Sequence, residues 1–177
     1  MRLVTAVTIF SLSACSSGGT TSGEPSTTPK NVVVLNQPGQ IPFPSANGIE
    51  GSATYSLTAP PPQGATLTLM SQLGGAGLPV PLGSGATVFA AFPFVSNKGV
   101  VLSQFPAWQV KAPTSTSLTP PYGIEVFAAN TYLGEYAATV SGATISATSF
   151  GASTSVAANT PYTFEIVQNP DTSQFPH

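Results

Sequence analysis

From residue 31 onward, apolar and hydroxyl-bearing side chains alternate along the chain with a period of two. This is the period of a β-strand that buries one face and exposes the other. In residues 52–58, for example, Ala53, Tyr55 and Leu57 alternate with Ser and Thr. The stretches that predict strands are 31–36, 52–58, 65–70, 87–95, 100–104, 107–111, 124–128, 136–140, 143–148 and 162–167.

Turn-forming residues separate these stretches and argue against helices. The chain contains 18 Pro and 17 Gly, and no stretch after the N-terminal region keeps helical spacing over ten residues. The pattern predicts an all-β fold: an antiparallel β-sandwich of immunoglobulin-like or jelly-roll type, with about nine or ten short strands. A β-barrel with a ligand cavity is the alternative. The clearest hairpin is predicted over 135–148, with its turn at Ser141-Gly142.

Charged residues are scarce, and this limits the classes of partner. They make up 6% of the chain, against about 25% in an average soluble protein. The net charge is −2 and the four basic residues are scattered, so the chain has no basic patch for nucleic acid or for anionic lipid. A surface covered by Ser, Thr, Asn, Gln, Gly and Ala suits contact with uncharged neighbours.

The N-terminal residues have the layout of an exported chain. Met1 and Arg2 precede the apolar segment Leu3–Leu12, which leads to Cys15, the only cysteine. The apolar segment is too short to cross a bilayer, which needs about 20 residues, but it suits the core of a signal peptide. Residues 16–30 are rich in Ser, Thr, Gly and Pro and predict a flexible linker.

The sequence Leu12-Ser13-Ala14-Cys15 resembles the lipobox of bacterial lipoproteins. The resemblance implies cleavage before Cys15, a lipid with acyl chains joined to Cys15 through a thioether bond to its sulfur, and an anchor in the bilayer of a bacterial envelope. Ser16 resembles the outer-membrane sorting pattern of Gram-negative lipoproteins, whereas a Gram-positive host would place the protein on the cell surface. An ordinary signal peptide is the alternative. The predicted organisation is a signal peptide (1–14), lipidated Cys and linker (15–30), one sandwich domain (31–168) and a polar tail (169–177).

The inventory of reactive residues argues against an enzyme. The single His and the single Asp are His177 and Asp171, both in the C-terminal tail, and the only Cys lies outside the predicted domain. A Ser-His-Asp site, a thiol nucleophile and a zinc site therefore lack their parts. The predicted domain offers four carboxylates, Glu50, Glu125, Glu135 and Glu165. Glu125 and Glu135 could lie on neighbouring strands, as a carboxylate pair would require, but we interpret them as solvated side chains. No catalytic residue, metal or cofactor is predicted.

Aromatic residues are the remaining candidates for ligand binding. Trp108, Tyr122 and Tyr132 could stack on sugar rings, and Tyr122 and Tyr132 are the ones expected to be exposed. Packing in the core is the other interpretation of these rings. We therefore expect a non-enzymatic structural, adhesive or interaction module that contacts an envelope protein. The alternative is a carbohydrate-binding module that contacts a neutral glycan through exposed aromatics.

The lipid anchor can be tested by metabolic labelling with a clickable fatty acid. The wild-type protein should incorporate the label, and Cys15→Ser should abolish it, because the thioether bond needs the sulfur. Labelling that persists undiminished in Cys15→Ser would refute the anchor.

Overall fold

The computed structural model describes residues 31–70, 79, 81, 83 and 85–174. The predicted signal peptide, Cys15, the linker and His177 lie outside the described residues. Within the described part the secondary structure is nearly all β, apart from one 3₁₀ turn at Thr172–Gln174. The all-β prediction is therefore confirmed. The same residues contain no helix long and apolar enough to cross a membrane.

Twelve strands are present in the described residues, compared with the predicted nine or ten. Their bounds are β1 Val32–Val34, β2 Gly39–Pro42, β3 Glu50–Tyr55, β4 Thr66–Leu69, β5 Thr87–Ser96, β6 Val100–Leu102, β7 Ala107–Lys111, β8 Tyr122–Ala128, β9 Thr131–Ser141, β10 Thr144–Ala147, β11 Thr154–Val156 and β12 Pro161–Gln168. The two strands that the sequence pattern does not predict are β2 and β11.

Ten of the strands form one antiparallel sheet that folds into two layers. The first layer has the order β1-β4-β5-β12-β8-β9, and the second has the order β9-β10-β7-β3-β2. The long strand β9 belongs to both layers. A small sheet of β6 and β11 stands apart from the ten-stranded sheet. The result is a sandwich that is close to a closed barrel.

The two end strands, β1 and β2, follow each other in the chain, and hydrogen bonds hold the segment between them. The backbone N of Asn36 donates to Tyr55 Oη at 3.0 Å. The side-chain amide of Gln37 donates to the carbonyl of Leu57 at 2.8 Å. These bonds attach the connection to β3 and to the segment after it.

The predicted hairpin is confirmed. β9 and β10 pair with Ser141 opposite Thr144, which leaves Gly142 and Ala143 as a two-residue turn. Gly142 has a φ of 58°, a backbone conformation that glycine adopts without a steric penalty. The turn is therefore Gly142-Ala143, one residue later in the chain than the predicted Ser141-Gly142.

The core lies between the two layers and is centred on aromatic rings. Trp108 on β7 stacks on Phe92 of β5 with ring centroids 5.0 Å apart. It also contacts Phe164 of β12 at 5.2 Å and Phe43 at 5.2 Å. Gly51 leaves room for this cluster, because a Cβ at that position would overlap the ring of Phe92. Trp108 is therefore the side chain that joins the second layer to the first.

This packing makes Trp108 a test of the core. Trp108→Ala should reduce the free energy of unfolding by about 3–5 kcal/mol, because it removes a large buried side chain and leaves a cavity. Denaturation in urea, followed by circular dichroism, measures the loss. The neighbouring exposed Gln109 on the same strand supplies the control, since Gln109→Ala should change stability by less than about 0.5 kcal/mol. A loss below about 1 kcal/mol for Trp108→Ala would contradict the assigned packing.

Candidate functional site

The outward face of the second layer carries a shallow polar groove. Along β3, Ala53 and Tyr55 point into the core, whereas Ser52 and Thr54 point outward. The same alternation on β7 buries Trp108 and Val110 and exposes Gln109. The period of two that predicted the strands therefore also assembles a continuous polar face.

The strand register places these outward side chains in cross-strand rows. Ser52 lies opposite Gln109, Gln109 lies opposite Ser146, and Ser146 lies opposite Thr139. In the next row, Gln40 lies opposite Thr54. Side chains directly opposite each other on neighbouring strands are close enough to act together on one ligand. The rows line a groove of about 510 Å³.

The groove has no charge of its own. All the residues that line it are uncharged, and most are Ser, Thr, Gln or Ala. One row further along the strands, Glu50 lies opposite Lys111, so these two charges beside the groove are of opposite sign. The groove therefore offers hydroxyl and amide groups that both donate and accept hydrogen bonds. None of its lining residues titrates near neutral pH.

Two of the three candidate aromatic residues are in the core and not on the surface. Trp108 and Tyr122 are each 2% exposed, so the expectation that Tyr122 is exposed is wrong. Tyr122 begins β8 with its ring directed inward, edge-on to Phe89 at 5.8 Å. Tyr132 is half-buried against Phe127, also at 5.8 Å. The structure thus forms no exposed platform from these three rings.

A second cluster lies on the outward side of the first layer and consists of three glutamates. Glu125 on β8 lies directly opposite Glu135 on β9, as expected for neighbouring strands. On the other side, Glu165 of β12 also lies opposite Glu125. We call Glu165, Glu125 and Glu135 the glutamate row. The sequence pattern offered Glu165 as a carboxylate of the domain but did not place it beside the other two.

The glutamate row is buried, which corrects the expectation that these side chains are solvated. Glu125 and Glu165 are 0% exposed and Glu135 is 2% exposed. The reason is that β8 and β12 are interior strands covered on both faces, with six consecutive buried residues in each. Within the described residues, neither oxygen of Glu135 or of Glu165 has a hydrogen-bond partner.

Burial changes the acidity of the row. It raises the pKa of Glu165 from 4.5 to about 7, with a further contribution from the charge of Glu125. Burial likewise raises the pKa of Glu135 from 4.5 to about 7, with contributions from Glu125 and then Asp171. The pKa of Tyr132 rises to about 12, first through burial and then through Glu135, Glu125 and Asp171. The charges of Glu125, Glu135 and Asp171 therefore each raise the pKa of at least one neighbouring group.

The row does not have the properties of a metal centre or an exposed active site. In the described part of the chain, no group of three or more His, Cys, Asp or Glu is placed to hold a metal ion. Catalysis by a carboxylate pair needs contact with a substrate, and the side chains of Glu125 and Glu135 are closed to solvent. The polar groove is therefore the better candidate for binding.

Comparisons with protein-family models, with curated proteins and with solved structures find no significant match to this chain. The function is therefore inferred from the polar groove itself. The groove residues Gln40 and Gln109 were not among the candidates taken from the sequence. The polar positions that alternate with the apolar ones along each strand could have identified them, but only together with the order of the strands in the sheet.

Proposed function

We propose that the protein is an envelope-anchored lipoprotein whose β-sandwich is a non-enzymatic interaction module, with the polar groove as its contact surface. The lipobox-like sequence ending at Cys15 supports the anchor, at the outer membrane or the cell surface. The observation that carries the binding role is the uncharged lining of a groove of about 510 Å³ that lies open on one face.

The groove is suited to binding because its polar groups are held by regular strands. Side chains on β9, β10, β7, β3 and β2 contribute to it. Neighbouring strands lie about 4.8 Å apart, so the five strands present a surface about 19 Å wide. The sheet fixes the backbone from which these side chains project, so that part of the surface loses little freedom when a partner binds. The surface therefore favours a partner that offers many neutral hydrogen-bonding groups.

A neutral glycan is the second candidate partner, and the composition of the groove favours it. Sugar hydroxyls both donate and accept hydrogen bonds, as do the Gln, Ser and Thr side chains here. The exposed aromatic platform expected from the sequence is not formed, because Trp108 and Tyr122 are buried. Glycan binding would depend on Gln40 and Gln109, and the affinity would lack the contribution of ring stacking.

A protein partner can be tested with a photoreactive amino acid placed at position 109 of the membrane-anchored protein in cells. If the groove is the contact surface, irradiation should give a discrete crosslinked product, because Gln109 lies at its centre. The matched control is position 104, since Gln104 is also exposed but does not line the groove. Equal crosslinking from the two positions would contradict the groove as the contact surface.

Glycan binding can be tested by calorimetric titration with neutral and anionic polysaccharides. Binding should occur with a neutral polysaccharide, and the double variant Gln40→Ala/Gln109→Ala should weaken it at least about tenfold, because two hydrogen-bonding side chains are lost. Gln104→Ala is the control and should bind as the wild type does. Unchanged affinity in the double variant would exclude the groove as a glycan site.

A further inference from the structure

The glutamate row brings half of the acidic residues of the chain together at one buried position. The sequence contains six acidic residues, and three of them occupy adjacent positions on β12, β8 and β9. Asp171 adds to the electrostatic environment of Glu135. The lysines of the described part lie elsewhere: Lys98 is in the turn after β5, and Lys111 is on β7 of the other layer.

Three ionised carboxylates in this position would repel one another. Directly opposed side chains on antiparallel strands have Cβ atoms about 4.5–5.5 Å apart, and like charges there destabilise the pair. Burial increases the cost, because a charge removed from water loses its hydration. Neighbouring carboxyl groups under these conditions titrate as coupled acids, and the charge of one raises the pH at which the next loses its proton.

We propose that Glu135 and Glu165, which lie on either side of Glu125, form a proton-binding site that links the stability of the three central strands to pH. The site needs no ligand other than the proton. It lies at the junctions of β12 with β8 and of β8 with β9, which are two of the most extensive strand pairings in the first layer.

The direction of the pH effect follows from the raised pKa values of Glu135 and Glu165. Protonated carboxyl groups are favoured in the folded state, so their contribution to stability is complete below about pH 4.5, the unfolded value. It is lost as the pH rises through about 7, the folded value for Glu135 and Glu165. Among the described residues, Tyr132 and Asp171 also interact electrostatically with the row, and they do not reverse this effect: the pKa of Tyr132 is about 12, and that of Asp171 is lowered.

The proposal predicts that the purified full chain is less stable at pH 8 than at pH 5. For one carboxyl group with a pKa of 4.5 in the unfolded state and about 7 in the folded state, the folding equilibrium constant falls by up to about 70-fold between pH 5 and pH 8. Thermal unfolding across a pH series should show a falling midpoint. Glu165→Gln, a neutral side chain of the same shape, should flatten the pH dependence and raise the midpoint at pH 8.

The matched control is Glu50→Gln, the same change at an exposed position on β3 in the other layer. It should leave the wild-type pH dependence unchanged. Glu135→Gln is a second variant within the row and should flatten the pH dependence as Glu165→Gln does. If both row variants keep the wild-type pH dependence, the proposal is overturned.

A direct measurement on the wild-type protein does not depend on how any variant folds. Infrared spectroscopy near pH 6 should show the carbonyl band of a protonated carboxyl group, which the small number of acidic residues makes easy to resolve. The band should disappear as the pH is raised above neutral, and its absence at pH 6 would refute a retained proton.

If added Ca²⁺ raises the unfolding midpoint at pH 8 in the wild type but not in Glu165→Gln, the row is a cation site and the proton proposal fails.

Discussion

The contact of Trp108 with Phe92 and Phe164 holds the two layers of the sandwich face to face. Large rings are the most effective side chains for filling the space between two sheets, and this chain uses its only tryptophan there. The consequence appears on the outside of the second layer, where Ser, Thr and Gln occupy the alternate positions. Any partner at that face meets hydroxyl and amide groups, so recognition would depend on hydrogen bonds and shape.

The strand pattern predicted most of the fold because burial on one face imposes a period of two. It missed β2, because Gly39 and Pro42 are turn-forming residues and the strand exists only through its pairing with β3. It missed β11 because three residues are too few to display a period, and this strand too depends on a distant partner, β6. Nonlocal pairing is not encoded in local alternation, and the strand order therefore needed the structure.

The same limit explains the candidate sites. Alternation correctly separated Glu125 from its core-facing neighbours Ile124 and Val126, and it correctly suggested that Glu125 and Glu135 lie on adjacent strands. It could not show whether the polar face is open or covered, because a strand buried on both faces and a half-buried strand differ only in what packs against them. Tyr122 illustrates the point for the aromatic residues, since adjacent prolines suggested exposure while the first position of β8 points inward.

The two layers consequently have opposite surface chemistry. The outer side of the second layer is open and uncharged, whereas the outer side of the first layer is covered and holds three acids. Glutamine would fill the space of Glu135 or Glu165 without the cost of a buried charge, and the oxygens of these two glutamates have no hydrogen-bond partner that would favour an acid. What glutamate adds is the ability to gain and lose a proton. The row therefore makes the pairing of the central strands depend on pH, while the polar groove on the opposite layer carries no group that titrates near neutrality.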